Sequence, residues 1–151
     1  MKKYLATVAL SAALAQPASA ITFSKLTTIY VGAGAASNGS VIATTLHCSN
    51  VSGVSANVRF LFLGPSGTVQ GDHTASIGHG FTYTISTQEV PVFVENFVFA
   101  PELVLNEGVV NVESTNSAVF CTAKVVDPSV FGAIGFTLPL VRVNPHPGTV
   151  E

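Results

Sequence analysis

The feature that most constrains this chain is a pair of cysteines, the only two in 151 residues, each set in a segment whose inward residues fall at every second position. In the segment Val41 to Asn50, the residues Ile42, Thr44, Leu46 and Cys48 share one face, and Ala43, Thr45, His47 and Ser49 share the other. From Ala118 to Val126, the residues Val119, Cys121, Ala123 and Val125 stand together, opposite Thr122 and Lys124. A period of two is the side-chain alternation of a β-strand. Both thiols therefore point into a buried layer. Two such strands far apart in sequence predict a disulfide through the core of a two-sheet sandwich.

The start of the chain says where that bridge would form. Lys2 and Lys3 precede an apolar run from Tyr4 to Ala15, then Gln16-Pro17 and the small triplet Ala18-Ser19-Ala20. This is the layout of a secretory signal, and the run is about 12 residues where a membrane span takes roughly 20. Residues 1–20 are expected to be a signal peptide, with Ile21 first after cleavage and no membrane span left behind. The destination is periplasmic or secreted. An oxidising compartment favours pairing Cys48 with Cys121 over leaving two free thiols.

Beyond the leader the chain reads as all β, an antiparallel β-sandwich. Apart from the two cysteine segments, strands are expected at Leu26 to Val31, Val54 to Leu63, Phe81 to Thr87, Val90 to Val94, Phe97 to Leu105, Val109 to Ser114 and Phe136 to Val143. Turn formers separate them: Asn38-Gly39, Pro65-Ser66-Gly67, Asn106-Glu107-Gly108, Ser114 to Ser117 and Asp127-Pro128-Ser129. Val31 to Ser40, rich in small residues, reads as a loop or loose edge. The expected domain is 21–143, with a tail at 144–151 whose Pro145 and Pro147 lack the amide donor a ladder needs. An eight-stranded outer-membrane barrel is the competing architecture. Its lipid-facing positions would be apolar, whereas the faces opposite the cysteines carry Thr, Ser, His and Lys.

Leu46-His47-Cys48 and Val119-Phe120-Cys121-Thr122-Ala123, with the cysteines 73 residues apart, resemble the bridge strands of an immunoglobulin-like sandwich. The resemblance covers about twenty residues and implies a fold, not a function. There is no Trp to pack on the bridge, and Val119 stands where the corner tyrosine of antibody domains would be. In such a sandwich the connections Asn50 to Gly53 and Asp127 to Gly135 would lie at one end. On that expectation Asn50, Val130, Phe131 and Ile134 are candidate contacts for a protein or small-molecule ligand.

Charge narrows the function. Only 9% of residues are charged, the net charge is −2, and two of the six cationic side chains lie in the leader. Nucleic acid and anionic membrane need clustered Lys and Arg and are therefore poor partners, so no nucleic acid is expected. Asp72, His73 and His79 could form a zinc or copper site if a turn gathered them, against the alternative of solvated loop histidines. Ser66 in Gly64-Pro65-Ser66-Gly67 is similar to a nucleophile elbow, but that motif needs glycines two residues either side and a following helix. Glu95 and Glu102 read as solvated strand ends, and no glycine-rich phosphate loop opens a helix. Asn38-Gly39-Ser40 and Asn50-Val51-Ser52 match the glycosylation sequon and read as turn residues. The apolar surplus from Val90 through Phe93, Phe97 and Phe99 to Leu105 implies a central strand, or an edge covered by another copy. No cofactor is expected. The chain is expected to be a non-catalytic binding or structural module. A self-assembling envelope or surface component, hence a homo-oligomer, is the second expectation, and a metal-assisted enzyme the third.

Overall fold

Period-two alternation builds ten strands in the computed structural model, which describes residues 20–39, 41–99, 103–129 and 135–144. In chain order they are β1 (Thr22–Ser37), β2 (Ala43–Asn50), β3 (Ala56–Leu63), β4 (Val69–Ile77), β5 (Thr82–Ser86), β6 (Phe97–Val98), β7 (Leu105–Asn116), β8 (Val119–Val126), β9 (Gly135–Leu138) and β10 (Val141–Arg142). They form two five-stranded sheets, ordered β10-β1-β7-β3-β4 and β6-β5-β2-β8-β9. All pairings are antiparallel except β5 with β6. Each sheet keeps two edges, so the architecture is a sandwich and not a closed barrel.

Inward residues of both sheets meet in one core. Ile29, Val58, Phe60, Phe62, Val110 and Val112 come from the first sheet, and Leu46, Cys48, Ile85, Val119 and Val125 from the second. Phe60 and Phe62 are fully buried, which stabilises the fold by about 1.5–3 kcal/mol each before entropy is counted.

The disulfide joins Cys48 to Cys121, but not between sheets. β2 and β8 are neighbours in the second sheet, the two cysteines are direct register partners, and their Cα atoms are 4.1 Å apart. The expected intersheet bridge is therefore a cross-strand bridge within one sheet. Alternation fixes which face a cysteine occupies, and that condition is met equally by facing strands and by adjacent ones. Hydrogen-bond parity makes the close approach. Asn50 N–H donates to Phe81 O at 3.0 Å, so residues 50, 48 and 46 turn their main-chain groups toward β5. Cys48 consequently faces β8 as a non-hydrogen-bonded pair, the narrower of the two antiparallel spacings.

Several element boundaries also differ from the sequence reading. Val31–Ser37 continues β1: Val31, Gly32 and Ala33 pair with Asn111, Val110 and Val109. Small residues serve close packing there, since a Cβ on Gly32 would lie 2.7 Å from Leu140 Cδ2. β4 was not expected because, of its inward positions Gly71, His73, Ala75 and Ile77, only the last is strongly apolar. Val90–Val94 is not a strand, and among the described residues of the next expected strand only Phe97–Val98 and Leu105, the first residue of β7, are in strands. Asn106-Glu107-Gly108 lies inside β7, where Gly108 backs directly onto Leu63 O. Pro139 divides the last expected strand into β9 and β10, which belong to different sheets.

The register also overturns the shared loop end. Ala43 pairs with Val126 and Asn50 with Val119, so Asn50 and Asp127 leave the second sheet at opposite ends. Val130, Phe131 and Ile134, the leader through residue 19, and the tail from residue 145 lie outside the described residues.

Candidate binding cleft

β4 ends the first sheet and β5 lies next to the end of the second, with one tight turn between them, so their inward side chains close one open side of the sandwich. His73 Nε2 and the Tyr83 hydroxyl are 2.8 Å apart, and the His73 ring stacks on Phe97 with centroids 3.7 Å apart. Tyr83 stacks in turn on Phe60 at 6.0 Å. Phe99 meets Phe62 and Phe97 edge-on. Gly71 makes that possible, because a Cβ there would come within 3.1 Å of both Phe99 and Leu103. Burial pushes the His73 pKa down and the Tyr83 pKa up, so it favours the neutral form of both.

Beside this aromatic seam opens a cleft of about 290 Å³, lined by Ser76, Ile77, Gly78, Phe81, Thr82, Tyr83 and Asn96. Phe81 is 69% exposed, as Phe136 and Phe120 also are to a lesser degree. Its ring rests on Gly78, where a Cβ would sit 3.1 Å from Phe81 Cδ2. Asn96 stands in for a strand residue: its N–H donates to Thr84 O and its Oδ1 accepts from Thr84 N–H, both at 2.8 Å. Its Nδ2 has no partner among the described residues. Phe99 N–H donates to Ser86 O at 3.2 Å. Thr84 and Ser86 thus turn their main-chain groups away from β2, and the same parity turns those of Thr82 toward the cleft.

A second feature covers the outer face of the second sheet. Residues 88–96 run across it, with Val90 and Phe93 packed on Ala43 and Val126. Phe93 meets His47 edge-on at 4.8 Å, and Lys124 Nζ lies 5.9 Å from the Phe93 centroid. Glu95 Oε1 accepts from Val90 N–H at 2.7 Å, which folds the strap on itself. Beneath it runs a ladder of cross-strand pairs: Thr45 with Ser86 at 2.9 Å, His47 Nδ1 with Thr84 at 3.0 Å, and Ser49 with Thr82 at 2.7 Å. Of the apolar surplus that implied a central strand or a second copy, Val90, Phe93, Phe97 and Phe99 pack within the chain, while Val92, Val94 and Val104 are exposed. Burial and then Lys124 hold the His47 pKa down against the opposing pull of Glu95. No carboxylate bonds to His47 among the described residues, so its contact with Thr84 lacks the orienting group of a nucleophile–base pair.

The sequence-based site residues are placed differently. Asp72 points outward to a bidentate pair with Arg59, at 2.8 Å and 2.6 Å, and that guanidinium holds its carboxyl below the usual range. Glu113 completes the network at 3.4 Å. His73 points inward, since neighbours on a strand face opposite sides. His79, on the turn, accepts from Gly53 N–H at 3.0 Å through Nδ1. The metal site expected from Asp72, His73 and His79 is not assembled, and among the described residues no three such side chains are placed to hold an ion.

Asn50 is fully buried, and its side chain is engaged internally. Nδ2 donates to Val54 O and Ile77 O at 2.7 Å each, and Oδ1 accepts from Ser52 N–H at 3.0 Å. It ties two connections together and is not presented to a ligand. Ser66 bonds Thr68 in an exposed turn. Sequence reasoning missed Phe81 and Asn96. The signal available was an aromatic directly after Gly78-His79-Gly80, at the lip of a crossover.

Fold and cleft together define a class: a disulfide-tied two-sheet β protein with a small, uncharged cleft at the open side between its sheets. Compared with known proteins, the chain matches no family model, no curated protein and no solved structure. Among the described residues no helix is long and apolar enough to cross a membrane. The disulfide fits an extracellular or periplasmic protein.

Proposed function

We propose that the protein is an exported, non-catalytic binding module that takes its ligand in the cleft between β4 and β5. The observation that carries this reading is a division of labour among polar groups. Asp72, His73, His79 and Asn50 are all engaged in internal bonds, while the Phe81 ring and Asn96 Nδ2 are held in place and left open. Rigid walls with a few open contacts are what a binding site needs, because the ordering cost is met before the ligand arrives. The leader-like start and the disulfide support an oxidising compartment outside the cytoplasm.

The test is a two-dimensional amide NMR screen of the oxidised protein against a fragment library. Saturable shifts clustered at Phe81, Thr82, Tyr83 and Asn96 support the reading. Shifts scattered over the surface, or none, remove it.

Self-assembly as a surface component is the second reading, favoured by the outer face of the first sheet. There Val141, Val31, Asn111 and Leu61 stand in cross-strand register, beside the row Ala33, Val109 and Leu63. Asn111 Oδ1 is buried in this face without a hydrogen-bond partner. Light scattering of the purified protein separates the two readings: assembly gives large particles without an added ligand.

A further inference from the structure

We infer that the cleft between β4 and β5 recognises a neutral saccharide, an inference that rests on the binding reading above and assigns its ligand class. Four observations carry it. No lining residue carries a charge: Ser76, Ile77, Gly78, Phe81, Thr82 and Asn96 have none, and Tyr83 is kept in its neutral form. The adjoining His73 is held neutral by the same burial. An ionic ligand would lose its hydration there without gaining a counter-charge.

The second observation is the pairing of an aromatic face with small polar groups. Phe81 offers an exposed ring, and its quadrupole attracts the weakly positive C–H face of a pyranose as it attracts the edge of another ring. The polar groups within reach are the hydroxyl of Ser76, the free Asn96 Nδ2 and the outward main chain of Thr82, whose own hydroxyl is paired with Ser49. Sugar hydroxyls both donate and accept, so they match such a mixed set.

Third, β5 offers too short an edge for a peptide. Adding a strand there needs a run of open main-chain groups, and Asn96 already occupies Thr84 while Phe99 occupies Ser86. One open residue on β5 suits a compact ligand. The volume, about 290 Å³, lies at the low end for ligand sites and fits one or two sugar rings.

The experiment titrates the oxidised protein with cellotetraose, chitotetraose and maltotetraose, with tetragalacturonate as a charged comparator, following amide shifts and heat. The expected result is saturable binding of at least one neutral tetramer in the range of about 0.1–5 mM, and none of the comparator. Asn96→Asp keeps the oxygen that accepts from Thr84 N–H but removes the free donor. With the charge it adds, it should weaken binding roughly tenfold or more with the spectrum otherwise retained, in line with the worth of a hydrogen bond. Phe81→Leu keeps an apolar side chain without the ring face and should weaken binding by a similar factor. Neutral tetramers that leave the cleft amides unmoved up to about 10 mM, while library fragments move them, overturn the saccharide assignment and leave the binding reading standing. If neither moves them, both fail. Equal binding of the charged tetramer also overturns the assignment.

Discussion

Cys48 and Cys121 face each other across adjacent strands of one sheet, their Cα atoms 4.1 Å apart and their sulfurs bonded. The bridge therefore fastens β2 to β8 and leaves the contact between sheets to side chains such as Phe60, Phe62, Leu46 and Ile85.

Closing a 73-residue separation contributes about 4 kcal/mol in the chain-entropy account. The double variant Cys48→Ala/Cys121→Ala should lose about that much in urea unfolding while keeping both sheets. Near-native amide dispersion with a lowered midpoint is the expected outcome. A collapse of dispersion would mean that the bridge also holds the sheets together.

Asn50 satisfies Val54 O, Ile77 O and Ser52 N–H from a fully buried position. Asn50→Ala leaves two carbonyls and an amide without those partners and should cost about 2–4 kcal/mol. Denaturant melts measure it. A loss below about 1 kcal/mol would show that water replaces the amide there.

Phe93 is the main apolar contact of the strap with His47 and Lys124. Phe93→Ala should cost about 1–2 kcal/mol, the worth of a half-buried ring. It should also raise deuterium uptake at Thr45 and Ser86, now fully covered. Unchanged uptake at those amides would place the cover elsewhere.

His47 and His73 are both held below the ordinary histidine range, chiefly by burial. With the folded pKa depressed, the unfolded chain binds more protons as pH falls, so stability rises with pH in that window. Their contribution is complete above the unfolded value of about 6.5 and is lost on going below it. Urea midpoints should fall between about pH 7 and pH 5, and His73→Phe should flatten the curve. Asp72, held low by the Arg59 guanidinium, acts in a separate window below about pH 4. A midpoint that rises on acidification to about pH 5 would contradict this assignment.

The alternation around Leu46, Cys48, Val119 and Val125 was enough to specify strands, their inward faces and a buried pair of thiols, because a period of two is local geometry that each segment carries by itself. Low charge and the absence of a recognisable catalytic spacing were likewise readable from the residues alone. The sequence could not decide which strands are neighbours. That depends on main-chain hydrogen bonds between segments some 70 residues apart, which leave no mark on side-chain pattern. For this reason the bridge lies within a sheet, β4 escaped notice behind Gly71 and His73, and the apolar run at Val90 and Phe93 became a cover in place of a strand. The cleft is a product of the same long-range choice: Phe81 and Asn96 acquire a common purpose only when two sheet edges from separate layers are brought side by side.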